Sequence, residues 1–192
     1  MKNIYENERD AALVETQVSS QKIYDGKIIH VYCDEVELPD GKRAPREVIR
    51  HNGAVCIVPI NDKGEVVCVR QYRYAVGQLI IEIPAGKLDS KDEDPMMAAL
   101  RELREETGYT CGKLTYIGDM YGSPAILDEV IHMYIAEELF AGENDLDEDE
   151  FLEPLTLPLD TLADMIMSGE IRDAKTQIAV MKAFLYKNKF KK

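Results

Sequence analysis

Three glutamates in the middle of the chain are the residues best placed to do chemistry. Glu102, Glu105 and Glu106 lie in the stretch PAGKLDSKDEDPMMAALRELREETGY, residues 84–109. At about 100° of rotation per residue of an α-helix, the three carboxylates share one face. Like charges at this spacing destabilise a helix by about 0.2–0.5 kcal/mol per pair. A divalent cation such as Mg²⁺, which prefers carboxylate oxygens, retained waters and substrate phosphates, would relieve this repulsion.

The same cluster also has a simpler explanation. A run of charges on a helix is usually a solvated face, and Arg101, four residues before Glu105, offers one carboxylate an ion pair. The apolar residues of this segment, among them Ala99 and Leu103, form a stripe beside the acidic face. We therefore expect the glutamates to border the core, where repulsion between carboxylates is harder to relieve.

The residues around the glutamates help to distinguish a metal site from a solvated helix face. The stretch resembles the Nudix box, the signature of the Nudix hydrolases, in which a glycine and a glutamate precede an R-E-U-x-E-E-x-G-U run with U aliphatic. The matching residues are Gly86, Glu93, Arg101, Glu102, Leu103, Glu105, Glu106, Gly108 and Tyr109. Two positions depart from the pattern, since six residues instead of five separate Gly86 from Glu93 and the last position is aromatic. Either the loop has one inserted residue, which the spacing from Glu93 to Arg101 favours, or Asp92 replaces the glutamate.

The resemblance implies a role for each residue of the box. Glu102 and Glu106 would be the main metal ligands, joined by the backbone carbonyl of Ala85, and Glu105 would be held near Arg101 in the catalytic machinery. The cofactor would be two or more Mg²⁺ ions, with Mn²⁺ as an alternative, which activate water and neutralise the leaving phosphate. The substrate would be a nucleoside diphosphate linked to another small molecule.

Features outside the box resemble the ADP-ribose pyrophosphatase subgroup of this family. Pro124 follows Gly108 by 16 residues, although an ordinary loop proline that ends a strand would look the same. The stretches REVIRHNGAVCIVPI, VCVRQYRYAVGQLIIEIPAGK and DAKTQIAVMKAFL also resemble this subgroup. An arginine suits a nucleotide site because its planar guanidinium can pair with phosphate or stack on adenine. The resemblance implies four charged substrate contacts, which could otherwise be paired surface charges: Arg46, Glu47, Arg73 and Glu82.

A second acidic segment, residues 141–153, contains seven acidic residues and no basic one. A solvated loop is the simplest interpretation. A calcium-binding loop is excluded because Glu150 stands at the glycine position and Thr156 at the final glutamate position of that motif. The subgroup resemblance implies a mobile loop that supplies the catalytic base and a further metal ligand. By position these residues are Glu148 and Glu150.

These residues need structural elements that hold them in place. Pro95 and Gly108 predict the start and the stop of a helix over residues 95–107. Short alternating segments predict an N-terminal β appendage, residues 1–50, and an apolar run with a hairpin partner opens a second domain, residues 51–192. Further strands are expected at residues 79–83, 114–118 and 130–136, and helices at residues 159–168 and 174–186. With the resemblance, this order implies an α/β fold: a Nudix α/β/α sandwich with a mixed sheet, beside the small appendage.

The composition limits the partners. The formal net charge of −13 and the pI near 4.7 argue against nucleic acids and anionic membranes. The four cysteines form no CxxC pair, and no signal segment or membrane span is visible, so we expect a soluble cytoplasmic protein. In the family the β appendage exchanges between two subunits, which implies a homodimer.

Together with the resemblance, these features predict a Mg²⁺-dependent enzyme that hydrolyses ADP-ribose to AMP and ribose 5-phosphate. A related enzyme that cleaves sugar nucleotides such as GDP-mannose or ADP-glucose is an alternative, because these compounds share the diphosphate. Two further alternatives lack catalysis: a nucleotide-sensing module on the same fold, and an acidic protein that buffers metal ions. Magnesium-dependent turnover would exclude both.

Overall fold

The computed structural model describes residues 10–143 and 151–189, and these residues form two compact units. The first unit contains residues 10–51 and the segment Ser123–Glu129. The second unit contains residues 52–122 and the described residues from 130 onward. The first unit is thus assembled from two separate parts of the chain.

A three-stranded antiparallel sheet makes up most of the first unit. Its strands are β1 (Thr16–Asp25), β2 (His30–Glu37) and β3 (Arg43–Arg50), in the order β1-β2-β3, and a 3₁₀ turn (Asp10–Ala12) precedes them. Gly41, in the connection of β2 to β3, has a φ of +80°, a left-handed conformation that favours glycine. The N–H of Ile49 donates to the carbonyl of Ile126 at 2.7 Å, which ties the segment Ser123–Glu129 to β3.

The second unit contains two sheets and three helices. Its strands are β4 (Ala54–Pro59), β5 (Glu65–Arg73), β6 (Gln78–Glu82), β7 (Ala85–Lys87), β8 (Tyr109–Tyr121), β9 (Val130–Ala141) and β10 (Leu152–Pro158). Its helices are α1 (Pro95–Thr107), α2 (Leu159–Met167) and α3 (Ala174–Lys189), and a 3₁₀ turn (Tyr74–Val76) follows β5. One sheet has the order β7-β4-β9-β8 and the other β10-β5-β6. Among the described residues, no helix is long and apolar enough to cross a membrane.

Strand β4 lies inside the larger sheet, and all six of its residues are buried. Val55 and Ile57 belong to the apolar cluster that includes Leu103 of α1, whereas Cys56 and Val58 belong to the cluster that includes residues of α2 and α3. Burial on both faces explains why this segment is a continuous apolar run. Since β4 is parallel to β9 and antiparallel to β7, the sheet is mixed, with helices on both faces as predicted.

The predicted helix over residues 95–107 is confirmed at both ends. The side chain of Asp94 accepts a hydrogen bond from the N–H of Met96 at 2.8 Å, and Pro95 stands in the first turn. Gly108 ends the helix with a φ of 73°, and its N–H donates to the carbonyl of Arg104 at 2.8 Å. Local signals alone therefore fix the position of the acidic helix.

Two strands of the second unit are longer than predicted, and two others were not predicted. Strands β8 and β9 extend well beyond the predicted residues 114–118 and 130–136. In β8 the predicted end coincides with Gly118, at φ +110°, where a bulge interrupts the alternating pattern but does not end the strand. Strands β7 and β10 were not predicted at all. Strand β7 has only three residues, and β10 contains Pro154 and Pro158, which a sheet tolerates because β10 lies at its edge.

Candidate active site

Helix α1 holds its three glutamates at different depths. Glu106 is only 5% exposed, whereas the side chains of Glu102 and Glu105 are 12% and 32% exposed. The acidic face therefore borders the core, as predicted. Partial exclusion of water strengthens the repulsion among these carboxylates and favours a bound cation.

Arg101 compensates part of this negative charge. Its Nη1 donates to Glu102 Oε1 at 2.7 Å and to Glu105 Oε2 at 3.1 Å. Its Nη2 donates to Glu93 Oε1 and to the carbonyl of Lys87, both at 3.3 Å. Partial burial disfavours the charged guanidinium, but the charge and hydrogen bonds of Glu102 and Glu105 outweigh burial and raise the pKa of Arg101. Arg101 thus holds two carboxylates of α1 and the preceding loop in one arrangement.

The loop before α1 accommodates the extra residue between Gly86 and Glu93. Glu93 contacts Arg101, and its Oε2 also accepts a hydrogen bond from the N–H of Asp89 at 2.6 Å. The N–H of Asp92 donates instead to the hydroxyl of Ser90 at 3.3 Å. Of the two candidates for the box glutamate, it is Glu93 that lies against Arg101.

Strand β7 brings backbone atoms directly against α1. A Cβ atom at Gly86 would lie 2.0 Å from Cδ of Glu102, so the carboxylate occupies the space that any side chain would need. The N–H of Ala85 donates to Glu106 Oε2 at 3.2 Å. The glycine of the box is therefore explained by its contact with Glu102. The predicted role of Ala85 concerns its carbonyl group, and it stays a prediction.

The oxygen donors of Glu102 and Glu106 suit a hard cation such as Mg²⁺. Within residues 10–143 and 151–189, no group of three or more His, Cys, Asp or Glu side chains is arranged to hold a metal ion by itself. Mg²⁺ does not need one, because one or two carboxylates, several waters and the phosphates of a substrate usually bind it. The carboxylates of α1 would suit a site of this second kind.

Arg73, at the end of β5, and Glu82, at the end of β6, form an ion pair. Nε and Nη2 of Arg73 contact Glu82 Oε2 at 2.9 and 2.7 Å, and Nζ of Lys175 donates to Glu82 Oε1 at 2.9 Å. The side chain of Glu82 is buried, whereas that of Arg73 is 42% exposed. The structure thus brings together the two residues that were predicted to line a nucleotide cleft.

The sequence interpretation did not single out the residues that complete this cluster. Lys175 is 93 residues away from Glu82 in the chain, at the start of α3. Asp173 Oδ2 accepts hydrogen bonds from the N–H and the hydroxyl of Thr176, at 2.9 and 2.6 Å. The same hydroxyl oxygen accepts a hydrogen bond from the N–H of Ile83 at 3.1 Å. The aspartate three residues before the threonine is a helix-start signal, but nothing local indicates the partners on β6.

Three other predicted substrate residues lie in the first unit. Arg46, on β3, pairs with Glu15 through Nε, at 2.8 Å, and through Nη2. Glu47 follows on the same strand and is exposed. Pro124 is also exposed, in a turn of the segment Ser123–Glu129. The two candidates in the acidic segment lie outside the described residues: Glu148 and Glu150.

Several known proteins are similar to this chain over most of its length. A protein of Bacillus subtilis (strain 168) named ADP-ribose pyrophosphatase is 44% identical over 171 residues, which cover 88% of this chain and 92% of that protein. A Bacillus methanolicus protein named methanol dehydrogenase activator is 44% identical over 168 residues, covering 86% and 90%. A Salmonella typhimurium protein named GDP-mannose pyrophosphatase is 38% identical over 154 residues, covering 71% and 80%.

The fold also matches a solved structure described as an ADP compounds hydrolase. The TM-score is 0.82, with 94% of this chain and 98% of that chain covered, and the 23% sequence identity limits the likeness to the fold. This match confirms the predicted α/β/α sandwich. Residues 15–49 match the family of nucleoside diphosphate sugar hydrolase N-terminal domains, and residues 50–177 match the NUDIX domain. The chain therefore belongs to the Nudix hydrolase family.

Proposed function

We propose that this protein is a Mg²⁺-dependent hydrolase that splits the diphosphate of ADP-ribose to give AMP and ribose 5-phosphate. The observation that carries the proposal is the position of Glu102 and Glu106 against β7, where Gly86 leaves room for a carboxylate. The 44% identity to the B. subtilis ADP-ribose pyrophosphatase, over most of both chains, supports the choice of substrate. Nudix hydrolases generally need a divalent metal ion, and oxygen donors of this kind favour Mg²⁺.

Each residue of the box has a part in this proposal. Glu102, Glu106 and the carbonyl of Ala85 would hold two or more metal ions, which supply an activated water and compensate charge on the leaving phosphate. Arg101 keeps Glu102 and Glu105 in position through its two hydrogen bonds. Since these groups are already oriented, little reorganisation is needed when the substrate binds.

Recognition of the nucleotide would fall to charged residues outside the box. Arg73 presents a half-exposed guanidinium that suits a phosphate group or an adenine ring, and Glu82 fixes its orientation. Arg46, Glu47 and Pro124 are three further substrate contacts in this proposal. Substitution of these residues should therefore weaken substrate binding more than it lowers the rate of bond cleavage.

The acidic segment would supply the general base. We assign Glu148 as the residue that deprotonates the attacking water and Glu150 as a further metal ligand. A carboxylate base can approach the phosphates only when metal ions reduce the repulsion between its charge and theirs.

The first unit has features that suit a homodimer of this chain. All ten residues of β1 are exposed, and β1 is an edge strand of its sheet. Exposed apolar side chains are concentrated at its end and in the following turn: Ile23, Tyr24, Ile28 and Ile29. Light scattering coupled to size exclusion should give twice the mass of the 21.8 kDa chain. The acidic pI and the free cysteines suit the cytoplasm.

A substrate panel tests the proposed reaction. Purified protein is incubated with ADP-ribose, ADP-glucose, GDP-mannose, NADH and diadenosine polyphosphates, with and without Mg²⁺, and a coupled phosphatase releases phosphate from the products. We expect kcat/KM for ADP-ribose to exceed that of the other compounds by about tenfold, or about 1.4 kcal/mol in transition-state binding. Equal or faster turnover of another compound would refute the choice of ADP-ribose.

Hydrolysis of sugar nucleotides is the second candidate, since a GDP-mannose pyrophosphatase is 38% identical. Preference for GDP-mannose in the panel would support it and would leave the proposed metal site intact. Lack of turnover of every compound with Mg²⁺ present would favour a nucleotide-sensing module. In that case, stimulation of a methanol dehydrogenase would be assayed, because a relative of equal identity is named an activator of that enzyme.

A further inference from the structure

Four alternating charges form a continuous row in the second unit. Nζ of Lys175 donates to Glu82 Oε1 at 2.9 Å and to Asp173 Oδ2 at 3.1 Å, while Arg73 contacts the other oxygen of Glu82. The side chains of Glu82 and Lys175 are 4% and 14% exposed. The row therefore begins at the start of α3, passes through the interior and reaches solvent at Arg73.

Each oxygen of Glu82 has its own cation, and this division determines how Arg73 is held. Nε and Nη2 of Arg73 both point to Oε2, so the guanidinium does not form the two parallel bonds of a bidentate pair. Its Nη1 makes no hydrogen bond or ion pair within the described part of the chain. Arg73 consequently retains N–H donors for an anionic ligand.

Asp173 also connects the start of α3 to the residues just before strand β7. Its carboxylate accepts a hydrogen bond from the hydroxyl of Thr176, and the oxygen of that hydroxyl accepts a hydrogen bond from the N–H of Ile83. Ile83 stands two residues before Ala85, and the N–H of Ala85 donates to Glu106. Because Lys175 and Thr176 are consecutive, one turn of helix secures both the carboxylate that holds Arg73 and the backbone beside the α1 glutamates.

Loss of the Lys175 ammonium would change this arrangement in a specific way. Glu82 would stay buried with an oxygen deprived of its cation, and an uncompensated buried carboxylate is unfavourable. Arg73 can relieve this by rotating into a bidentate pair with both oxygens. The guanidinium would then turn toward Glu82 and away from the substrate, which weakens binding without altering the metal site.

We infer that Lys175, held by Asp173, is a positioning residue. It binds one oxygen of the Glu82 carboxylate, leaves the other oxygen to Arg73, and thereby keeps Arg73 available to a phosphate or base of the substrate. This role rests on the proposed function, because it assumes that Arg73 contacts the nucleotide. It adds Lys175 of α3 and Asp173, which immediately precedes this helix, to the residues that determine substrate affinity. Neither Lys175 nor Asp173 needs to touch the substrate.

A double-mutant cycle on steady-state kinetics with ADP-ribose and Mg²⁺ tests this role. Lys175→Met is expected to raise KM about tenfold and to change kcat less than about threefold. In an Arg73→Gln background the same substitution should change KM less than about twofold, since the arginine through which it acts is absent. Lys175→Arg, which keeps a donor to Glu82, should restore most of the affinity.

Lys187→Met is the matched control. Lys187 lies on the same helix and pairs with Glu137, which is 16% exposed, so its removal also breaks an ion pair on α3. Its KM should equal that of the wild type. A KM increase for Lys175→Met of equal size with and without Arg73 would overturn the inference, because the lysine would then act independently of the arginine.

Further measurements distinguish failure of this inference from a folding defect and from a wrong choice of substrate. Circular dichroism and thermal unfolding are recorded for each variant. If Lys175→Met does not fold, Lys175→Gln takes its place in the cycle, and the same changes in KM are expected. Wild-type protein that turns over another compound of the panel refutes ADP-ribose as the substrate, and the cycle is then measured on that compound. Wild-type protein that turns over nothing refutes the proposed function and this inference together.

Discussion

Replacing Gly86 by alanine tests the metal site with a single methyl group. The new Cβ would lie 2.0 Å from Cδ of Glu102 and 2.1 and 2.3 Å from its two oxygens. Real Cβ atoms essentially never approach other heavy atoms within 3.0 Å, so the carboxylate must move by at least the difference of about 1 Å. Movement of the Glu102 carboxylate displaces a proposed metal ligand while both charges of the pair with Arg101 are kept.

The cost to activity follows from this displacement. A catalytic group misplaced by about 1 Å can lower the rate about 100-fold, which corresponds to about 2.7 kcal/mol of transition-state stabilisation. The cost to stability is small, because the atoms that must move belong to the end of a flexible side chain. Gly86 does not have a positive φ, so alanine can adopt its backbone conformation. We expect the free energy of unfolding to change by less than about 1 kcal/mol.

The assay compares kcat/KM for ADP-ribose over a range of Mg²⁺ concentrations with urea unfolding of the same samples. Gly112→Ala is the matched control, because its Cβ would lie 2.5 Å from Oε2 of Glu138, also at the end of a glutamate side chain, but of one that is not a proposed metal ligand. This control should retain wild-type activity. A Gly86→Ala rate within about threefold of the wild type would refute the placement of Glu102 at the metal.

Three further predictions test other parts of the molecule. Glu106→Gln should lower turnover more than about 100-fold and leave thermal unfolding unchanged, since the amide oxygen still accepts a backbone N–H; a near-normal rate would remove Glu106 from the metal site. Glu148→Gln should lower the single-turnover rate about 100-fold if Glu148 is the base, and an unaffected rate would move that role to a neighbour. Burial alone would raise the pKa of Glu137, but hydrogen bonds from Lys113 and Lys187 outweigh it and hold the pKa below the ordinary value for a glutamate. The stability that Glu137 contributes is thus present above the ordinary glutamate pKa and is lost as the pH falls through the lowered pKa, so the free energy of unfolding in urea should decrease toward acid, and should decrease less in Glu137→Gln.

The parts of the site that sequence could predict are those encoded within a short stretch. Pro95 and Gly108 specify the ends of α1, and a helix of known ends places Glu102, Glu105 and Glu106 on one face. The spacing between the glutamates and Arg101 is likewise a property of one helix. A helix therefore turns a sequence motif into a charged surface without any information from distant residues.

The parts that sequence could not predict depend on contacts between distant segments. Gly86 is explained only once β7 is seen to pass against α1, and a three-residue strand gives no periodic signal. In the sequence, Lys175 looks like an ordinary exposed lysine at the start of a helix. Only the structure shows that it contacts Glu82, which lies 93 residues earlier in the chain. Strand β10 is hidden by its prolines and is defined by its pairing with β5.

The two charged clusters explain how a protein with a net charge of −13 can bind an anionic nucleotide. At α1, Arg101 is shared among Glu93, Glu102 and Glu105, so carboxylates outnumber the cation, and in the proposed mechanism metal ions would balance the excess negative charge. The row that ends at Arg73 has equal numbers of positive and negative charges, and its exposed end is a guanidinium whose Nη1 makes no hydrogen bond to the described residues. In the proposed function, positive charge would therefore reach the phosphates in two forms, as bound metal and as a fixed arginine. Changes in the first cluster should alter the metal dependence of turnover, whereas changes in the second should alter KM at saturating metal.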